Sequence, residues 1–233
     1  TDCQKELVDQ TTPASEPNFE LFAQPVTTKT ANNGLDTKWV AKDAINVFHA
    51  EAGSTAYVID GQFTVKDIET GRFDGTVSKS LSADKSYDWY AFYPYTSQIT
   101  TPGDREVGWV TVGGTSQTQT GNGSRVHLAG ESCPLYGIAS NVASDKVPSI
   151  SMNHLTSVIK VSVTNNSGED LTVSSVSFTG TEDIVGTYFI NFAASPVAYK
   201  SRGNAYVSST ASLTVSNGEA LANGSSADFY IAL

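Results

Sequence analysis

The chain has little of what usually carries chemistry. Of 233 residues, two are cysteine (Cys3 and Cys133) and one is methionine. Cys3 falls in a polar leader, residues 1–17, which reads as a flexible tether, so a structural bridge to Cys133 is not expected. The two cysteines also have no metal-binding spacing. Charge is scarce: Asp, Glu, Lys and Arg make up 16% of the chain. Fourteen basic residues are scattered among 24 acidic ones, for a net charge of −10. That argues against nucleic acid and against an anionic membrane surface as partners, because both require clustered Lys and Arg. No apolar run is long enough to span a bilayer. Thr1 reads as the start of a mature or trimmed chain.

Catalytic motifs are missing too. There is no calcium loop, phosphate-binding loop, dinucleotide fingerprint or nucleophile elbow. The three histidines, His49, His127 and His154, have no metal-ligand spacing, and no serine or cysteine is placed beside them by sequence. The carboxylates Asp43, Asp60, Asp67, Glu69, Glu182 and Asp183 fall in turn-like stretches. A paired-carboxylate hydrolase assembles its acids in space, so sequence alone does not reveal one. The reading adopted is a protein that is not an enzyme and takes no metal or cofactor. Asn122-Gly123-Ser124, Asn165-Asn166-Ser167 and Asn223-Gly224-Ser225 match the glycosylation sequon but read as ordinary turns.

What is present is β-strand pattern, repeated at short intervals and without helical periodicity. Phe19 to Ala23 opens a first strand running to about Thr30. Ala44 to His49 is the next. Tyr57 to Val65 reads as a hairpin turning at Asp60-Gly61, a preferred type I′ pair. Gly113 to Ser124 has almost nothing to bury and reads as a mobile loop. Val158 to Thr164 alternates, with Ile159, Val161 and Val163 inward. Leu171 and Val173 share one parity and Val176 and Phe178 the other, which implies a bulge or a strand crossing between sheets. Val185–Phe192, Ala211–Val215 and Phe229–Leu233 are further strands. The last stops inside an apolar run, either by truncation or because another chain completes it. The expected architecture is all-β, two β-sandwich domains in series, spanning 18–145 and 146–233, the second incomplete in one reading.

One stretch stands out. In Tyr87-Asp88-Trp89-Tyr90-Ala91-Phe92-Tyr93-Pro94-Tyr95, six of nine residues are aromatic. Alternation puts Tyr87, Trp89, Tyr93 and Tyr95 on one face and Tyr90 and Phe92 on the other. Apolar groups on both faces favour a central strand covered on both sides. The competing reading is an exposed stacking platform for sugars or a partner protein.

Three motifs, in order, resemble a known family. The first is Thr27-Thr28-Lys29-Thr30 followed by Trp39 and Asp43-Ala44-Ile45-Asn46-Val47-Phe48. The second is Tyr90-Ala91-Phe92-Tyr93-Pro94-Tyr95. The third is Pro134-Leu135-Tyr136-Gly137 followed by His154-Leu155-Thr156-Ser157-Val158-Ile159-Lys160-Val161. Together, over residues 18–233, they resemble the fimbrillin-like surface proteins of Bacteroidales, including the subunits of protease-assembled pili. The resemblance implies transthyretin-like domains and export as an outer-membrane lipoprotein at the cell surface. Asp2 precedes Cys3 where the family signal wants a small residue, so the lipid-bearing cysteine would lie upstream of this sequence. It also implies assembly with other fimbrial subunits by β-strand complementation, as stalk, tip or anchor. Asn18–Thr30 then matches the leaving strand and Ala31–Lys38 the cleavage loop. That loop has no arginine, which leaves Lys38, with Lys29 before it, as the processing candidates. The alternative is a monomeric, membrane-anchored module that binds host or dietary glycans or host proteins through exposed Trp89, Tyr90, Tyr93, Tyr95 and Trp109.

Overall fold

The computed structural model describes residues 19–25, 38–54, 56–97, 106–191 and 197–233. The tether, residues 1–17, lies outside them. The described residues form strands and three single 3-10 turns. In chain order the strands are β1 (Phe19–Pro25), β2 (Ala44–Glu51), β3 (Val58–Asp67), β4 (Arg72–Gly75), β5 (Ser86–Tyr93), β6 (Glu106–Val112), β7 (Ser116–Gln119) and β8 (Leu135–Ala143). There follow β9 (Ser149–His154), β10 (Val158–Thr164), β11 (Leu171–Thr179), β12 (Val185–Asn191), β13 (Ala198–Ser201), β14 (Val207–Ser208), β15 (Thr210–Leu221) and β16 (Ser226–Ala232). The all-β expectation holds.

Seven strands close a barrel in the order β1-β4-β3-β2-β5-β8-β9. All its pairs are antiparallel except β1 with β9, which run parallel and close the ring. The remaining strands form a β10-β16 pair, a β11-β15-β7 sheet, and a sheet in which β12 is flanked by β6 on one side and by β13 and β14 on the other. Sheet membership interleaves across the expected boundary at 145/146. β9 joins the barrel of the N-terminal strands, while β6 and β7 pair with strands from the second half.

The aromatic strand β5 is central and covered on both faces. Tyr87, Trp89 and Ala91 point into the barrel, with Ile45 and Val47 of β2, Phe63 of β3 and Leu135 of β8. Tyr90 and Phe92 point outward and pack with Phe48 against Val110, Val112 and Ile190 of the β6/β12 sheet. A third core lies among β10, β11, β15 and β16, with Leu213, Phe229 and Ile231 at its centre. The parity switch in β11 is a register shift between Val173 and Ser175 against β15, the bulge that the pattern implied.

Two local expectations are corrected. No hairpin turns at Asp60-Gly61: β3 runs straight through, and the pair forms a bulge opposite Val47 and Phe48. Gly61 has φ +91°. Turn and bulge both demand a residue tolerant of positive φ, so the same dipeptide serves either. Gly113–Ser124 is not all loop either. It contains β7, parallel to β15, and there Gln117 and Gln119 are buried.

Those glutamines finish the outer edge of β16, whose other edge pairs with β10. Gln117 accepts from the Ala232 N–H (2.9 Å) and donates to its carbonyl (2.7 Å). Gln119 accepts from the Tyr230 N–H (2.9 Å) and donates to the Asp228 carbonyl (2.9 Å). Asn122 takes the Asp228 N–H at 2.8 Å, and His127 Nε2 lies 2.8 Å from the Tyr230 carbonyl. Side-chain amides thus stand where a strand's main chain would stand, and they hide an edge that would otherwise invite pairing.

Candidate functional site

The barrel seam is one candidate site. β1 lies between two strands remote from it in sequence, β4 and β9. Leu21 and Ala23 are fully buried inside the barrel. The Phe22 N–H donates to the Pro148 carbonyl (2.9 Å) and the Ala23 N–H to the Gly71 carbonyl (2.8 Å). Gly71 has φ +66°, and a Cβ there would run into the Ala23 carbonyl, so only glycine allows this approach. On the other side, Trp39 Nε1 donates to the same Ala23 carbonyl at 2.6 Å. Its ring packs edge-on against Phe73 (5.0 Å) and Tyr93 (5.2 Å). Lys38, one of the processing candidates, is exposed immediately before that tryptophan. Lys29 and the rest of the segment 26–37 lie outside the described residues.

The exposed-platform reading of the aromatics is corrected for its central members. Trp89 is 1% exposed and Tyr90 2%, so neither offers a face to a ligand. Trp89 stacks instead on Phe19 of β1, with centroids 4.8 Å apart and planes at 15°. Tyr93 and Tyr95 are half-buried. The Tyr93 hydroxyl donates to Asp43 Oδ1 at 3.1 Å. Burial first, then the Asp43 carboxylate, pushes the Tyr93 hydroxyl up to about 12. Trp109 falls in β6, at a position where only the backbone is described.

The second feature is one that the sequence did not announce. A cleft of about 310 Å³ opens where Ser54 and residues 56–58 meet residues 79–82, over the ends of β2 and β5. His49 of β2 and Tyr87 of β5 line it. His49 is 2% exposed, and its Nδ1 is 2.7 Å from Oδ2 of Asp60, whose side chain is fully buried. The other Asp60 oxygen accepts the Ser78 N–H at 2.8 Å. The imidazole also packs against Trp89 (5.0 Å) and Tyr87 (5.5 Å). This pair exists because of the bulge: Asp60, the extra residue of β3, turns its side chain toward β2. A turn reading of Asp60-Gly61 hides the contact, and nothing in the spacing of residues 49 and 60 marks it. Glu51 at the rim is paired with Lys85 at 2.7 Å, a half-exposed contact that contributes little.

The other histidines and Cys133 sit elsewhere. Burial lowers the His154 pKa and raises that of the buried Cys133 thiol. Among the described residues no helix is long and apolar enough to cross a membrane. No protein-family model matches the chain, and no curated protein matches it.

Proposed function

We propose that the chain is a structural or adhesive subunit of a bacterial cell-surface fimbria, joined to its neighbours by exchange of the first strand. The observation that carries this reading is the seat of β1. It is a short strand whose removal breaks no hairpin and leaves two facing edges, β4 and β9, with the pockets of Leu21 and Ala23 open between them. An incoming strand would regain main-chain hydrogen bonds on both sides and fill those pockets with alternate side chains. The ordered motifs that resemble fimbrillin-like proteins support the same reading. With it come a pair of transthyretin-like units, a lipid anchor upstream of Thr1 and an outer-membrane or fimbrial location. Cleavage after exposed Lys38, or after Lys29, would free β1 while leaving Trp39 in the body of the protein.

Limited digestion with a lysine-specific protease tests this, read by N-terminal sequencing and by an unboiled denaturing gel. The expected result is a new N-terminus at Trp39 or Thr30 and a ladder of stable multimers, with the first cut lost in Lys38→Gln and the second in Lys29→Gln. A cleaved chain that stays monomeric, even with a synthetic peptide of residues 18–30 competed away, overturns exchange of this strand.

A further inference from the structure

We propose that the cleft above the His49–Asp60 pair binds a small, uncharged, polyhydroxylated ligand, in size a single sugar residue. The place is apt, since open ends of β-barrels are recurrent ligand sites, and about 310 Å³ lies at the small end of such pockets.

The chemistry follows from the floor. Asp60 holds Nδ1 of His49 at 2.7 Å, which fixes the ring, and Asp60 is itself fixed by the Ser78 N–H. Nε2 of this ring makes no hydrogen bond among the described residues, and it is not one of the fully enclosed atoms, so a group in the cleft can reach it. Nε2 accepts when the imidazole is neutral and donates when it is protonated. A hydroxyl satisfies it in either state, whereas an anion suits only the protonated ring and an ammonium only the neutral one. The rim repeats the preference. Ser54, Ser80 and Ser82 bring hydroxyl groups, and the Glu51 carboxylate at the rim already has its counter-charge in Lys85. Tyr57, partly exposed at the rim, supplies aromatic surface against which the apolar face of a sugar ring packs. Glycan recognition on this protein is thereby assigned to the cleft and not to the buried aromatics of β5.

The test is an NMR titration of the full chain with methyl β-D-glucopyranoside, methyl β-D-galactopyranoside and methyl α-D-mannopyranoside, following the His49 ring nitrogens and the amides of Ser54 and of residues 56–58 and 79–82. Saturable shifts with at least one probe are expected, with a dissociation constant on the order of 1 mM for so small and polar a ligand. Ser80→Trp, an exposed rim position, fills the mouth without touching the core, so the protein stays folded and the shifts are lost. His49→Phe removes the floor nitrogen and is expected to abolish binding wherever that variant still folds. No saturable shift with any probe, or shifts that survive Ser80→Trp, overturn the site. Binding of methyl glucuronide or glucosamine alone overturns the uncharged class.

Discussion

Replacing Gln119 tests whether side-chain amides really close the β16 edge. Gln119 is fully buried and makes three hydrogen bonds: it donates to the Gly121 carbonyl (2.7 Å) and the Asp228 carbonyl (2.9 Å), and it accepts from the Tyr230 N–H (2.9 Å). In Gln119→Ala all three are lost, at about 1 kcal/mol each. The Asp228 carbonyl keeps a second donor, the Gly123 N–H at 3.0 Å, but the Tyr230 N–H is orphaned. A buried orphan of that kind costs a further 1–3 kcal/mol or so, which brings the expected loss to about 4–6 kcal/mol before relaxation, and roughly 3–5 after water reaches the edge. Gln119→Glu separates hydrogen bonding from volume. The carboxylate still accepts from Tyr230 but turns an acceptor toward two carbonyls, so it is expected to destabilise at neutral pH and to recover partly in acid, where a protonated carboxyl can donate. Urea unfolding followed by tryptophan fluorescence measures both variants. Size-exclusion chromatography asks in addition whether an uncovered β16 pairs with a second copy. If both variants stay within about 1 kcal/mol of the parent with an unchanged urea slope, the amides do not hold the edge and the reasoning fails.

Three further outcomes follow from the barrel seam. Gly71→Ala must combine φ +66° with a Cβ driven against the Ala23 carbonyl, and is expected to cost about 2–4 kcal/mol and to loosen β1 first, seen as faster amide exchange at Phe22 and Ala23 than in β5. Trp39→Phe keeps most of the packing against Phe73 and Tyr93 but removes the 2.6 Å bond to the Ala23 carbonyl, so a loss of about 1–2 kcal/mol and easier protease release of the first strand are expected. Tyr93 bears on alkaline stability. Its folded pKa, raised to about 12, lies above the ordinary value of 10.0, so the folded state holds the proton more tightly. The stability it contributes is complete below pH 10 and drains away between 10 and 12. Tyr93→Phe should therefore show a shallower loss of stability across that window, and an unchanged slope there would contradict the assignment.

Much of this fold was legible because its periodicities are strong. The two-sided aromatic pattern from Tyr87 to Phe92 located a central strand, and the parity switch between Val173 and Val176 located a bulge. Both signals are side-chain alternation, which is a direct image of which face is buried. What stayed hidden depends on partners remote in sequence. Asp60-Gly61 carries the same preference for positive φ whether it turns the chain or bulges a strand, and only pairing with β2 decides. Gln117 and Gln119 look like solvent-facing residues, because composition cannot tell that an unpaired backbone edge, more than a hundred residues away, takes up their amides. The His49–Asp60 pair depends on both effects at once, which is why histidines and acids read one at a time gave no site.

The edges also bear on which strand can be exchanged. β16 is tied by a seven-residue antiparallel register to β10 and by side-chain amides along its other edge, and its Phe229 and Ile231 sit at the centre of a core. Pulling it out would orphan both sets of bonds together. β1 is different: four residues pair with β4, four with β9, and only Leu21 and Ala23 are fully buried. Its neighbours keep their own hairpin partners, β3 for β4 and β8 for β9, after it leaves. Under the proposed fimbrial reading, exchange would fall on β1 and not on β16, because its loss opens a slot between β4 and β9 and leaves both in their hairpins. The same opening would remove Phe19 from Trp89, the residue against which the His49 ring packs. Departure of β1 is then expected to alter the environment of the His49–Asp60 pair, and a shift of the His49 ring nitrogens on cleavage after Lys38 is the signal that seam and cleft are coupled. An unchanged His49 spectrum in the cleaved chain would show that the two act independently.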